Sequence, residues 1–141
     1  MISERRIKPL PDEDSRDYWR ALAEGRLDIQ HCRDCGQRTW PPRPVCSKCF
    51  GENLQFNTVS GAGEIYSWIV VYRSTMPHMM PYVPYTLALV RLDEQHDIYI
   101  PGRLLGDAVA ERGMRVRAVI EKIDDETGDL AWSPLSSANR A

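Results

Sequence analysis

The pattern of apolar and polar positions marks out one helix, a short ribbon and a series of strands. Residues 1–11 are charged and hold Pro9 and Pro11, which predicts an extended arm. A helix is expected from about Asp12 to Glu24. Asp12, Glu13 and Asp14 would fill its first turn, where acidic groups suit the dipole, and Gly25 would end it. Its apolar stripe of Tyr18, Trp19 and Leu22 suits packing on the rest of the protein or docking on a partner. Leu27 and Ile29 then alternate with polar neighbours up to His31, the period of a strand.

Glu52 to Ser60 reads as a polar connector. Glu64 to Tyr72 is rich in β-branched and aromatic residues and apolar on both faces, which predicts a curved barrel strand covered on two sides. Ser74 to Pro84 holds Pro77, Pro81 and Pro84 with Met76, Met79 and Met80. No strand tolerates that; a soft apolar loop is expected, plugging a barrel end or bordering an acyl pocket or interface. Further strands are expected over Tyr85–Leu92, over His96–Leu105 with a bulge or edge at Pro101-Gly102, over Met114–Ile123 and over Leu130–Leu135. A short acidic helical turn (Asp107 to Arg112) separates the third from the fourth, and Asp124–Asp129 reads as an acidic turn. Five strands with a helix at that point follow the order of a Greek-key OB barrel. The fold class is therefore mainly β: arm and helix over 1–25, ribbon over 26–52, barrel over 53–136 and a loose tail over 137–141.

The four cysteines change this picture most. Cys32/Cys35 and Cys46/Cys49 are two Cys-x-x-Cys knuckles, and they use every cysteine in the chain. Each knuckle aims two sulfurs at one point, and two knuckles on a hairpin give the tetrahedral thiolate cage of a structural zinc site. Gly36 and Gly51 follow the knuckles, where tight turns need positive φ. Two disulfides or a redox pair are the competing readings; one Zn2+ is preferred, since no cysteine is left over and nothing suggests secretion. Four thiolates would close the coordination shell, which makes the metal structural.

A chain of 141 residues with 43% hydrophobic content supports one ordinary domain or two small ones. The net charge of −2 is uneven, and only the ribbon is positive, by about two charges. That is too little for a nucleic-acid footprint. No apolar leader and no run of membrane-spanning length occurs, so a soluble, cytoplasmic protein without a membrane partner is expected. Trp40 sits in the proline-stiffened loop between Arg38 and Arg43, suited either to shaping the hairpin or to contacting a ligand. No nucleophile elbow, phosphate loop or dinucleotide fingerprint occurs, and His31, His78 and His96 lie in different elements.

Taken in order, Tyr18-Trp19, Gly25-Arg26-Leu27, Cys32-Arg-Asp-Cys-Gly, Pro41-Pro42-Arg43-Pro-Val-Cys46, Gly61-Ala-Gly-Glu-Ile-Tyr-Ser67, Pro84-Tyr85, Leu89-Val90-Arg91-Leu92 and Gly113-Met114-Arg-Val116 resemble one family. It is long catalogued as domain of unknown function thirty-five: acyl-CoA-associated proteins built as a helix, a rubredoxin-like zinc ribbon and an OB fold. The resemblance runs from about Tyr18 to Trp132. Ser47, where the family often has proline, and the Met76–Pro81 loop depart from it. The resemblance implies a partner subunit of a thiolase-superfamily enzyme, in a hetero-oligomer such as a heterotetramer. The catalytic cysteine and histidine would sit on the other protein, and this chain would help cover the channel for a shared CoA thioester. Arg33, Arg38 and Arg43 are then candidates for CoA phosphates, since guanidinium forks pair with phosphate. Tyr18, Trp19, Trp40, Met76, Met79 and Met80 are candidates for the partner or acyl pocket. A nucleic-acid binder and an independent acyl-thioester enzyme are the competing classes.

Overall fold

The helix begins later than its acidic residues suggest. In the computed structural model, which describes residues 8–135, α1 spans Arg16–Ala23. Asp12 and Ser15 tie the chain down just before it: the Ser15 N–H and hydroxyl donate to Asp12 Oδ1 at 2.8 and 2.6 Å, and the Asp12 N–H donates to Ser15 Oγ at 3.1 Å. Asp12, Glu13 and Asp14 thus precede the helix, because short polar side chains favour such local turns over helix interiors. Tyr18, Ala21 and Leu22 are its buried residues, whereas Trp19 is half-buried. Gly25 adopts a φ of +84° just beyond the end, as a C′ glycine does.

Two compact units divide the chain. The first comprises 8–60 with Ile120–Asp129. Its sheet contains β1 (Asp28–Cys32), β2 (Arg38–Thr39) and β3 (Leu54–Thr58), antiparallel in the order β2-β1-β3. β3 corrects the expected polar connector. Backbone pairing with β1 runs from Asp28↔Thr58 to Cys32↔Leu54, and the short alternation of Leu54 and Phe56 with Gln55 and Asn57 is the strand signal there. β1 also fails to alternate in burial, since Asp28 and Gln30, at 8% and 5% exposure, are buried along with Leu27 and Ile29. Both polar groups are satisfied inside: the Thr58 hydroxyl donates to Asp28 at 2.6 Å, and the Gln30 amide bonds the Arg43 backbone. In the same unit Asp124 Oδ1 accepts from the Glu126 and Thr127 N–H groups and the Thr127 hydroxyl, closing the acidic turn, and Lys8 pairs with Asp124.

The second unit comprises Gly61–Val119 with 130–135. Strands β4 (Ala62–Val71), β5 (Tyr85–Leu92), β6 (Tyr99–Leu104), β7 (Arg115–Lys122) and β8 (Gly128–Pro134) close a barrel in the order β4-β5-β6-β8-β7. Ile65, Val90, Leu92, Ile100, Val116 and Trp132 fill it. Gly102 lies against the Trp132 indole, so close that a Cβ there would meet Cδ1 at 2.7 Å. The neighbouring Pro101 is exposed, and β6 reaches β8 only at Arg103 and Leu104, which makes Pro101 an edge position.

Three expectations for this unit need correction. Residues 107–112 form an irregular loop and a turn, with no helix, between glycines at φ +79° (Gly106) and +86° (Gly113). The methionine loop forms a 3-10 helix, Pro77–Tyr82, with no buried residue, so it does not plug the barrel. The far half of β4 is uncovered: Tyr66, Trp68, Ile69, Val70 and Tyr72 are all exposed. An apolar strand with no polar face is a surface whenever no second layer arrives, and sequence period cannot tell the two cases apart. The remainder of the predicted arm (1–7) and the tail lie outside the described residues.

Candidate metal centre and ligand surfaces

The two knuckles are built alike. In the first, the Gly36 N–H donates to the Cys32 carbonyl at 2.9 Å and the Cys32 N–H to Gln37 O at 2.9 Å. In the second, the Phe50 N–H donates to the Cys46 carbonyl at 3.1 Å and the Cys46 N–H to Gly51 O at 2.8 Å. Gly36 takes a φ of +82° at this turn, and Phe50 takes +62° at the matching place. Gly51 was expected there and is needed for room instead: a Cβ on it would lie 3.3 Å from the Cys49 sulfur.

The sulfurs of Cys32, Cys35, Cys46 and Cys49 all lie within 4.8 Å of one another. Cys32 and Cys49 are 3.6 Å apart and Cys35 and Cys46 are 3.5 Å apart, with all four thiols free. Zinc bonds of about 2.3 Å at tetrahedral angles set sulfurs about 3.8 Å apart, so this donor set fits the ion. Disulfide bonding at about 2.05 Å is a different geometry. The Cys49 and Lys48 N–H groups point at the Cys46 sulfur and pull its thiol down to about 6. Cys49 receives the Gly51 N–H, yet sharing space with the Cys32 sulfur pushes it up to about 12. Four sulfurs this close ionise together only around a cation. Cys32 and Cys46 are fully buried and Cys35 and Cys49 exposed, so the cage opens on one side.

The three candidate arginines are not gathered at one point. Arg33 is exposed, with Nε donating to Gln55 on β3 at 2.7 Å. Arg38 lies on β2, across β1 from that contact, and is half-buried. Arg43 is exposed, its backbone N–H and carbonyl held by the buried Gln30 amide at 3.0 and 2.7 Å. Among the candidate partner or acyl-pocket contacts, Tyr18 is interior at 3% exposure, packed within its own unit as the first of the two readings of its stripe has it. It stacks edge-on with Trp19 at 5.1 Å and Trp40 at 6.0 Å between ring centroids. Burial raises its phenol well above the usual range; Trp40 opposes the shift and the Asp129 carboxylate adds to it. Trp19 and Trp40 are half-buried, Met79 is half-buried, and Met76 and Met80 are exposed.

Two cavities open in the barrel unit, one of them beside the loop expected to border a pocket. One of about 230 Å³ is lined by Tyr82, Tyr85, Thr86, Arg103 and Gly106, and an apolar groove of about 270 Å³ by Trp68, Ile69, Leu87, Leu89 and Pro101. The uncharged run Tyr66–Tyr72 is the sequence signal of the groove, and the end of the methionine loop, at Tyr82 and Pro84, is that of the first cavity.

A four-cysteine ribbon and a five-stranded OB barrel on one chain define the class: a zinc-ribbon/OB protein. Residues 19–55 match the rubredoxin-like zinc ribbon domain of ChsH2, and residues 57–121 its C-terminal OB-fold domain. A DUF35 domain-containing scaffold protein of Pyrococcus furiosus is 33% identical over 118 residues, covering 82% of this chain and 85% of that protein. The chain belongs to this DUF35 family. A probable enoyl-CoA hydratase alpha subunit of Thermomonospora curvata is 34% identical over 89 residues, 63% of this chain. The match spans only 27% of that relative's length. Among solved structures, a chain of the Ltp2-ChsH2(DUF35) aldolase superposes with a TM-score of 0.79 at 29% identity, over 90% of this chain and 98% of that one. No helix among the described residues is long and apolar enough to cross a membrane.

Proposed function

We propose that the chain is a non-catalytic accessory subunit of an acyl-CoA enzyme of the thiolase superfamily, acting in C–C cleavage or acyl transfer on a CoA thioester. The observation that carries this reading is the likeness, over 90% of the chain, to a chain of the Ltp2-ChsH2(DUF35) aldolase. The alpha subunit of a probable enoyl-CoA hydratase, matched over part of its length, supports the same acyl-CoA setting. Thiolase-type chemistry needs an activated cysteine nucleophile and a positioned base. All four cysteines here are gathered in the cage, so that nucleophile comes from the partner. Cys32, Cys35, Cys46 and Cys49 would hold one Zn2+, which supplies folding free energy to the ribbon. Arg33, Arg38 and Arg43 would meet the phosphates of a CoA ligand shared with the partner, as parts of more than one contact, since β1 separates Arg33 from Arg38. A hetero-oligomer, such as a heterotetramer on a dimeric enzyme, suits this role.

The test is co-purification from native cells with a tagged chain, mass-spectrometric identification of the bound protein, and thioester turnover by each subunit and by the complex. A thiolase-superfamily partner that turns over, with an inert tagged subunit, is the expected result. Turnover by the tagged chain alone, at the rate of the complex, overturns the proposal. Charge reversal at Arg33 and Arg43 should raise the KM of the complex for its CoA substrate, and an unchanged KM removes them from the site.

A further inference from the structure

Among the described residues, β4 has one side without a strand partner along its far half. It pairs with β7 through Ala62, Gly63 and Glu64, and the last bonds on that side join Ile65 to Met114 and Gly113. From there to Val71, among the described residues, its strand partner is β5 alone. The open edge is Ser67-Trp-Ile-Val-Val71, five residues without charge, proline or glycine, between a β-bulge at Ile65–Ser67 and the end of the strand. Successive side chains of a strand point to opposite faces. Residues 66–70 are exposed one after another, with Ile69 at 60%, so both faces are partly open as well as the edge, although the Tyr66 ring lies 4.9 Å from that of Tyr99 and under the Arg91 guanidinium. Natural proteins blunt such edges with charges, prolines or a covering element, because free backbone groups beside apolar side chains invite another strand. The uncovered side chains present on the order of 600 Å², close to the ~800 Å² that one partner gives to a standard interface.

Charge discriminates between occupants. Between Glu64 and Asp93 the chain has no acidic residue; Arg73, Arg91 and His78 are its charged or titratable basic groups there. The Arg112 guanidinium sits over the Tyr66 ring, 5.0 Å from its centroid, just before the open edge. A second copy pairing antiparallel through Ile69 would set Tyr72 of one chain opposite Tyr66 of the other. Arg73 would then lie beside Arg112, cation against cation, twice over by symmetry. A partner with acidic groups flanking an apolar strand meets the same surface without that repulsion.

We infer that the open edge of β4, with the groove formed by Trp68, Ile69, Leu87 and Leu89, receives an uncharged extended segment of the catalytic partner, flanked by acidic side chains. This rests on the accessory-subunit reading and names the surface that reading leaves open. Main-chain hydrogen bonds to the edge give affinity, and the groove selects the side chains that enter it.

The experiment uses the zinc-loaded full chain and the recombinant partner identified by the co-purification above. Ile69→Glu should weaken the complex about 30-fold or more, as the loss of an interface hot spot does. Arg73→Glu should slow association about tenfold, by removing one attractive charge at the rim. Amide hydrogen exchange should slow in the wild-type complex at those residues of 67–71 whose N–H faces away from β5, the alternate pattern that strand pairing gives. Ile69→Glu binding within about threefold of wild type, or unchanged exchange at those amides, overturns the inference and leaves the accessory role intact. Dimerisation of the chain alone, or anionic vesicles alone, protecting those amides would give the surface a different occupant and also overturn it. A wild-type chain that binds no such partner overturns both readings.

Discussion

Phe50 occupies in the second knuckle the place that Gly36 holds in the first. Both donate their N–H to the carbonyl of the leading cysteine, and both have positive φ, +62° for Phe50 and +82° for Gly36. A side chain in this left-handed region costs roughly 1–2 kcal/mol, which glycine avoids. Phe50→Gly should therefore stabilise the zinc-loaded ribbon by about 1 kcal/mol. The Phe50 ring is exposed, so little packing is lost with it. Gly36→Ala should destabilise by a similar amount. Denaturant midpoints of the two variants, moving in opposite directions, check the pair.

Removing one ligand should empty the site. Cys46→Ser leaves three sulfurs and should lower bound zinc from one equivalent to near none, with loss of the ribbon sheet β2-β1-β3, because metal binding is folding free energy in so small an element. Metal analysis and far-ultraviolet circular dichroism read the two effects together. A full equivalent of tightly held zinc in the variant would show that the four sulfurs do not share one ion.

In the barrel, Gly102 exists for Trp132. An alanine methyl at Gly102 would lie 2.7 and 2.8 Å from indole Cδ1 and Nε1, and the ring is fully buried. Gly102→Ala should destabilise the protein by about 2 kcal/mol, the usual range for overpacking a core. The melting temperature checks this, and a value equal to wild type would mean that the indole can shift.

The Gln30 amide is the brace of the proline loop, accepting from the Arg43 N–H and donating to its carbonyl. At 5% exposure, replacing it with leucine leaves two backbone groups without their partner. The expected cost is about 2 kcal/mol, with faster amide exchange at Arg43. Exchange at Arg43 that stays as slow as in wild type would show the loop to be held by its prolines alone.

Tyr18 supplies a pH dependence. Burial raises its phenol in the folded state, so the folded protein keeps the proton while an unfolded chain releases it near pH 10. Stability from this group is complete below about pH 10 and falls as pH rises above that value toward the folded pKa. Tyr18→Phe keeps the ring against Trp19 and Trp40 and should flatten the decline between about pH 10 and 11 relative to wild type. Identical alkaline slopes in unfolding curves would mean that the hydroxyl reaches water.

Much of this molecule was legible in the chain, and the divisions are physical. The cysteine spacing determined the cage, because two knuckles can aim four sulfurs in few ways, and Gly25 determined the end of α1, because only its backbone turns there without cost. The five barrel strands were readable from apolar runs bounded by turn residues. Tertiary structure decided what local pattern leaves open. β3 found its partner there: the alternation of Leu54 and Phe56 with Gln55 and Asn57 allows a strand, and pairing with β1 makes it one. Asp28, Gln30 and Tyr18 went inside because partners from distant positions satisfied or surrounded them. The far half of β4 stayed outside because hydrophobicity states that a strand can be covered, and only the arrangement of its neighbours decides whether it is.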